Sequence, residues 1–177
     1  MIYVKPIYQI LAAFLTLTTF TFSECNKKDV VLPLPAETQT GANTLGCKIN
    51  GNIYTARGSG NCYNYLVQYY KSDSLLAINT NNGCISGLSI FLKGVYETKD
   101  YTIFIPVFNS FYYSTNETIY NKFDRTNSLQ TGAITITRFD LPNKIVSGRF
   151  NGILKQSGCP DVNITEGRFD FVMDIYN

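Results

Sequence analysis

The sequence predicts an all-β fold: one antiparallel β-sandwich or partly open barrel of about 8–11 strands, preceded by a signal-peptide helix and an extended tether. Three observations lead there. Beyond residue 44 the chain alternates short β-branched and aromatic runs with Gly, Asn and Asp turns. No apolar stripe of helical period appears after residue 24. Charged residues make up only 16% of the chain, and Thr, Asn, Ser and Gly carry much of its polarity, which suits an exported β protein.

The elements follow in order. Cys47-Lys48-Ile49 and Ile53-Tyr54-Thr55 flank Asn50-Gly51, the strongest short hairpin signal because both turn positions need positive φ. Tyr63, Tyr65, Val67 and Tyr69 alternate with Asn64, Leu66, Gln68 and Tyr70, a strand with one packed and one wet face. Ser74 to Thr80 is the next strand, Asn81-Asn82-Gly83 turns, and Cys84 to Leu92 returns. Lys93-Gly94 is a turn before Val95-Tyr96. Tyr101 to Phe108 is an edge strand or ends at a bulge, since Pro106 removes a ladder donor. Phe111 to Tyr113 and Thr118 to Tyr120 are weaker strands, and Asp124 to Ser128 is a loop. Gly132 to Phe139, a turn at Asp140-Leu141-Pro142-Asn143, Lys144 to Leu154 and Ile164 to Ile175 complete the domain.

The chain opens with Lys5 and then runs from Ile7 to Phe22 without a charge. Its apolar part is shorter than the roughly 20 residues that span a bilayer, so it reads as a signal peptide. Cys25 follows directly, as in a bacterial lipobox, where the thiol takes a diacylglycerol and becomes the first mature residue. Glu24 departs from the small residue that lipoprotein signal peptidases prefer there. The expected organisation is a signal peptide over 1–24, a lipidated tether over 25–44 and the β domain over 45–177. Removing Lys5 and Glu24 leaves the formal charge at +2, too small and dispersed for nucleic acid.

With Cys25 acylated, Cys47, Cys62, Cys84 and Cys159 remain. An even number in an oxidising compartment suggests two disulfides, with three connectivities open. The preferred pairing is Cys62–Cys84 and Cys47–Cys159. Zinc is disfavoured because the chain has no CxxC pair and no histidine.

Two late strands share a phrase, Gly148-Arg149-Phe150-Asn151 and Gly167-Arg168-Phe169-Asp170. One reading is a pair of arginines presented to an anion. The favoured one is structural, with glycine at a bulge or close approach and arginine on the wet face.

The stretch Thr40-Gly41-Ala42-Asn43-Thr44-Leu45-Gly46-Cys47 resembles the opening of a family of uncharacterised Bacteroidota lipoproteins. Ile145-Val146-Ser147-Gly148-Arg149-Phe150 and Thr165-Glu166-Gly167-Arg168-Phe169-Asp170 are similar to that family's end. The resemblance implies an outer-membrane lipoprotein of the cell envelope, periplasmic or surface-facing, and carries no activity.

The chemistry is sparse. Without histidine, Ser-His-Asp and Cys-His catalysis are excluded. The acids form no spaced pair within a motif, and no phosphate loop, dinucleotide fingerprint or calcium loop is present. No cofactor or metal is implied. Thirteen tyrosines and twelve phenylalanines are the feature with binding potential. Tyr69-Tyr70 and Phe111-Tyr112-Tyr113 are the candidates, the latter because three consecutive aromatics cannot share one face of a strand. The expectation is a lipid-anchored envelope protein with a non-catalytic β domain, binding a glycan, peptide or envelope protein or serving structurally. The alternatives are a lipocalin-like carrier of an apolar ligand and, less favoured, a carboxylate-based glycoside hydrolase.

Overall fold

A computed structural model describes residues 33–56, 63–83, 85–104, 109–115, 122–123 and 128–177. The expected signal segment, Cys25, Cys62, Cys84, Pro106 and Thr118 to Tyr120 lie outside them.

The first hairpin forms as the sequence requires. Strands β1 (Thr44–Ile49) and β2 (Asn52–Thr55) pair with Ile49 opposite Asn52. Asn50 and Gly51 alone make the turn, at φ 49° and 82°, the two positive values of a type I′ turn. Next come β3 (Tyr65–Tyr70), β4 (Leu75–Asn82), β5 (Ser86–Leu92), β6 (Asp100–Phe104), β7 (Ser110–Thr115) and β8 (Lys122–Phe123). The long strands β9 (Leu129–Asp140), β10 (Ile145–Lys155) and β11 (Val162–Val172) follow, and β12 (Asp174–Tyr176) ends the chain.

These strands form two six-stranded sheets, ordered β2-β1-β11-β10-β9-β6 and β12-β3-β4-β5-β7-β8, packed face to face as a sandwich. The all-β expectation and its sandwich option hold. The described residues contain twelve strands, more than expected, because the last run breaks in two. At Met173, buried and bonded through its amide to the Lys144 carbonyl, the chain leaves one sheet for the other. There β12 pairs parallel with β3, an exception to the antiparallel rule.

Other elements were displaced from expectation. Val95 is not in a strand. It is a fully buried loop residue whose amide bonds to the Ser74 carbonyl and whose own carbonyl accepts the Tyr69 hydroxyl at 2.6 Å. Ser114 and Thr115 continue β7, because β5 offers them partners in Gly87 and Ser86. The edge assignment for the Tyr101 strand holds, since β6 pairs only with β9.

Phe111, Phe150, Phe169 and Phe171 fill the space between the sheets, with successive ring centroids 6.0, 6.3 and 6.5 Å apart. The repeated Gly-Arg-Phe phrase is explained by this filling. In the β10–β11 ladder Gly148 faces Phe169, Arg149 faces Arg168 and Phe150 faces Gly167. A Cβ on Gly148 would lie 2.6 Å from the Phe169 ring, and one on Gly167 would lie 2.5 Å from the Phe150 ring. Each glycine makes room for the partner strand's phenyl ring, and the same register puts the two arginines side by side on the outer face.

Two polar bridges join the sheets through the core. The Gln130 amide of β9 accepts from the Phe111 N–H and donates to the Phe111 carbonyl, both at 2.8 Å, standing in for a ladder partner of β7. The Tyr54 hydroxyl of β2 meets the Thr80 hydroxyl at 3.0 Å and accepts the Leu88 amide at 3.2 Å. Burial, opposed in part by the Thr80 and Leu88 hydrogen bonds, pushes the Tyr54 phenol above its ordinary range.

Candidate functional site

The outer face of the β1-β11-β10-β9 sheet carries the most built feature of the molecule. Residues 33–43 have no regular secondary structure and were expected to be tether. Instead they form a strap laid on this face. The Pro35 ring sits over Gly46, where a Cβ would come within 2.3 Å of it. Glu37 pairs with Arg149, and the Gln39 carbonyl accepts from Arg138. The Asn43 side chain accepts the Val172 amide at 3.0 Å.

Asp170 holds the strap down. It points outward from mid-β11, yet is only 1% exposed because the strap covers it. One carboxylate oxygen accepts the Thr38 hydroxyl at 2.6 Å and the amides of Thr40 and Ala42 at 2.9 and 3.0 Å. The other accepts the Gly41 amide at 2.9 Å and the Ser147 hydroxyl at 2.7 Å. Burial disfavours its charge, but the bonds from Thr38, Ala42, Ser147 and Gly41 outweigh burial and hold the carboxyl far below the usual range. Gly41 takes φ 76° and would carry a Cβ 2.8 Å from Val172, so glycine is required where the strap turns back toward β1.

Between strap and sheet lies a cleft of about 290 Å³, lined by Glu37, Gln39, Thr137, Gly148, Arg149 and Arg168 among others. Arg149 Nε and Nη2 approach one Glu37 oxygen at 2.8 and 2.6 Å. Arg168 donates through Nε to the Glu166 carbonyl at 3.3 Å, and its terminal nitrogens make longer contacts, Nη1 3.5 Å from the Pro35 carbonyl and Nη2 3.9 Å from the Glu166 carboxylate. Glu166 is the left-handed residue of a bulge in β11, at φ 52°, and its firm partner is Lys48 at 2.6 Å.

The aromatic candidates separate by strand alternation. Phe111 and Tyr69 point inward and are core. Tyr113 is also inward, packed on the core and lining a second cleft of about 240 Å³ with Tyr54, Ile53 and Asn82. Only Tyr70 and Tyr112 reach the outer face of the second sheet. Tyr70 stacks on Tyr176, centroids 5.2 Å apart and planes 20° from parallel. Leu66 and Gln68 alternate with the inward residues of β3, and Gln68 donates to the Tyr176 hydroxyl at 3.4 Å. Asn79 and Ser89 stand between Leu66 and Tyr112 across the sheet. Tyr176 had no signal in the sequence because its neighbour is set by the sheet switch at Met173.

The cysteines do not pair as expected among the described residues. Cys47 is a buried free thiol, pushed up to about 12 by burial. Cys159 lies in the β10–β11 turn, packed at the core's margin. Cys47 faces the Glu166–Gly167 bulge, while Cys159 precedes Val162. Val162 is offset along β11 from the Cys47 position by roughly 15 Å at about 3.4 Å per residue, and Cys47 carries no disulfide. The Cys47–Cys159 bond is therefore not formed.

Asp140 closes the β9–β10 turn. It accepts from Arg138 at 2.6 Å and from the Asn143 backbone and side-chain amides at 3.0 and 2.9 Å. Arg138 first, then Asn143, hold its carboxyl down at about 2.

No protein family matches this chain, and neither the curated proteins nor the solved structures contain a match to it.

Proposed function

We propose that the chain is a lipid-anchored protein of the cell envelope, attached through Cys25, whose β-sandwich is a non-catalytic glycan-binding module. The anchor rests on the apolar leader and the cysteine that follows it. The binding reading is carried by the outer face of the second sheet, where the Tyr70–Tyr176 stack and Tyr112 lie on one surface with Gln68 and Asn79. Flat aromatic area beside amide and hydroxyl groups matches the apolar face and hydroxyl rim of a sugar ring.

The two rival readings fit less well. A carrier needs room between the sheets, which the four phenylalanines occupy. A two-carboxylate hydrolase needs two acids about 5–10 Å apart in one cleft. Among the described residues, the strap cleft contains only Glu37, which is paired to Arg149, and the cleft beside the β9–β10 turn contains only Asp140, which is paired to Arg138.

Alkyne-palmitate labelling of cells expressing wild type and Cys25→Ser tests the anchor. Label should be lost in the variant, and undiminished label refutes attachment at Cys25. A glycan array probed with full-length protein in nonionic detergent tests the face. Binding should fall at least tenfold in Tyr70→Ala/Tyr176→Ala. Equal signal in that variant rejects the aromatic surface.

A further inference from the structure

We infer that the cleft beneath the strap is a binding site for a small carboxylate-bearing ligand, with Glu37 as the internal occupant that the ligand displaces. The site lies on the opposite sheet from the aromatic face and does not depend on it. Arg149 and Arg168 are directly opposed in the β10–β11 ladder, on the outer face. Like charges so placed repel, and the fold forces them together because the inward glycines and phenylalanines on either side set the register. An anion between them relieves that repulsion.

The cleft already shows which anion it takes. Glu37 offers one carboxylate oxygen to both Nε and Nη2 of Arg149, a shared contact on the guanidinium edge that can take both oxygens of a carboxylate as a fork. The contact is weakly held, because Glu37 and Arg149 side chains are 43% and 63% exposed, and solvent screens exposed pairs. Arg168, only 21% exposed, faces the same space with long contacts to the Pro35 carbonyl and Glu166. Its Nε donates to the Glu166 carbonyl at 3.3 Å, so its two terminal nitrogens, with contacts of 3.5 and 3.9 Å, are the less occupied half of the site. A volume of about 290 Å³ suits a single sugar acid or acidic side chain. Thr137 and the main chain at Gly148 line the same space.

Glu37 then acts as a competitor built into the strap. An internal occupant lowers apparent affinity by the fraction of open site it leaves. Removing so exposed a pair therefore tightens external binding about fivefold, the upper end for such pairs.

The test is calorimetric titration of full-length protein in nonionic detergent with D-galacturonate, with N-acetyl-L-glutamate and with neutral D-galactose. Wild type should bind one or both carboxylates saturably and galactose not at all. Glu37→Gln should bind about fivefold tighter, and Arg149→Met at least tenfold weaker. Arg149→Lys, which keeps the charge and loses the fork, should also weaken binding. Arg149 is exposed, so neither change touches the core. Binding of galacturonate alone identifies a sugar acid, and of N-acetylglutamate alone an acidic residue. The inference is overturned if neither carboxylate binds Glu37→Gln up to about 20 mM, if Arg149→Met binds as well as wild type, or if galactose binds equally.

Discussion

Replacing Asp170 by asparagine should release the strap while leaving the sandwich folded. The magnitude follows from the five short bonds its carboxylate accepts. An asparagine presents one oxygen where the carboxylate has two. With that oxygen in the position that serves Thr38, Thr40 and Ala42, the side-chain NH₂ meets Gly41 donor to donor. Ser147 can rotate its hydroxyl to accept, but the Gly41 amide cannot. One stranded buried donor costs about 1–3 kcal/mol, and the remaining bonds lose charge assistance. The sum is about 3 kcal/mol. Asp170→Ala strands all three amides, yet its cost has a ceiling, because the strap can lift and hydrate them. The two variants should therefore converge on the strap's docking free energy.

Amide hydrogen exchange at Thr40, Gly41 and Ala42 is the direct assay. Exchange there should accelerate roughly a hundredfold in both variants, while core amides such as Ile90 and Ile134 shift only with global stability. Acid gives a second reading. Asp170 has a folded pKa below its unfolded value of about 3.9, so it stabilises in full above that value. The contribution fades as pH falls below about 4 toward the folded pKa. The stability gap between wild type and Asp170→Asn should accordingly shrink on acidification. Asp140, held at about 2, titrates over an overlapping window in both proteins and cancels in the difference. Unchanged protection at the three strap amides in both variants, with an unshifted urea midpoint, would refute the clasp.

Three other changes test the core. Gly148→Ala and Gly167→Ala each push a methyl into the facing phenyl ring and a backbone carbonyl; overpacking of this kind costs about 1–3 kcal/mol and should lower the melting temperature by about 3–10 °C. Gln130→Leu leaves the buried N–H and C=O of Phe111 without their partner and should cost about 2–4 kcal/mol by urea denaturation. Cys47, buried and with its thiol pushed up to about 12, should resist iodoacetamide at pH 8 in the folded protein and react in urea, as read by intact mass.

Local chemistry made much of this fold readable. Asn50-Gly51 specified a turn that needs only its own backbone, and the Tyr65–Tyr70 alternation specified which side chains face in. What escaped the sequence was set by distant partners. Asp170 stands at an outward position between two inward phenylalanines, which reads as a solvated acid until a segment about 130 residues earlier covers it. The strap itself has neither period nor hydrophobic run, so it resembles a linker. Its order comes from the groups it meets on β9, β10 and β11. The repeated Gly-Arg-Phe was visible as a phrase, but its meaning lies in antiparallel register, which pairs each glycine with the other strand's ring. The expected disulfide failed for the same reason. Cysteine parity is a property of composition, whereas the places of Cys47 on β1 and Cys159 in the β10–β11 turn are set by the fold.

The strap also changes what an anchor at Cys25 would do. A tether reaching to residue 44 would give the sandwich wide freedom above a membrane. Pro35 is instead fixed over Gly46, and Glu37, Gln39 and Asp170 secure the chain beyond it. Pro35 is ten residues on from Cys25, a reach of at most about 35 Å at about 3.3–3.6 Å per residue. An anchor at Cys25, as proposed, would therefore lie within about 35 Å of Pro35. The aromatic face belongs to the other sheet. The two candidate surfaces therefore lie on different sheets of the sandwich and can be occupied independently of one another.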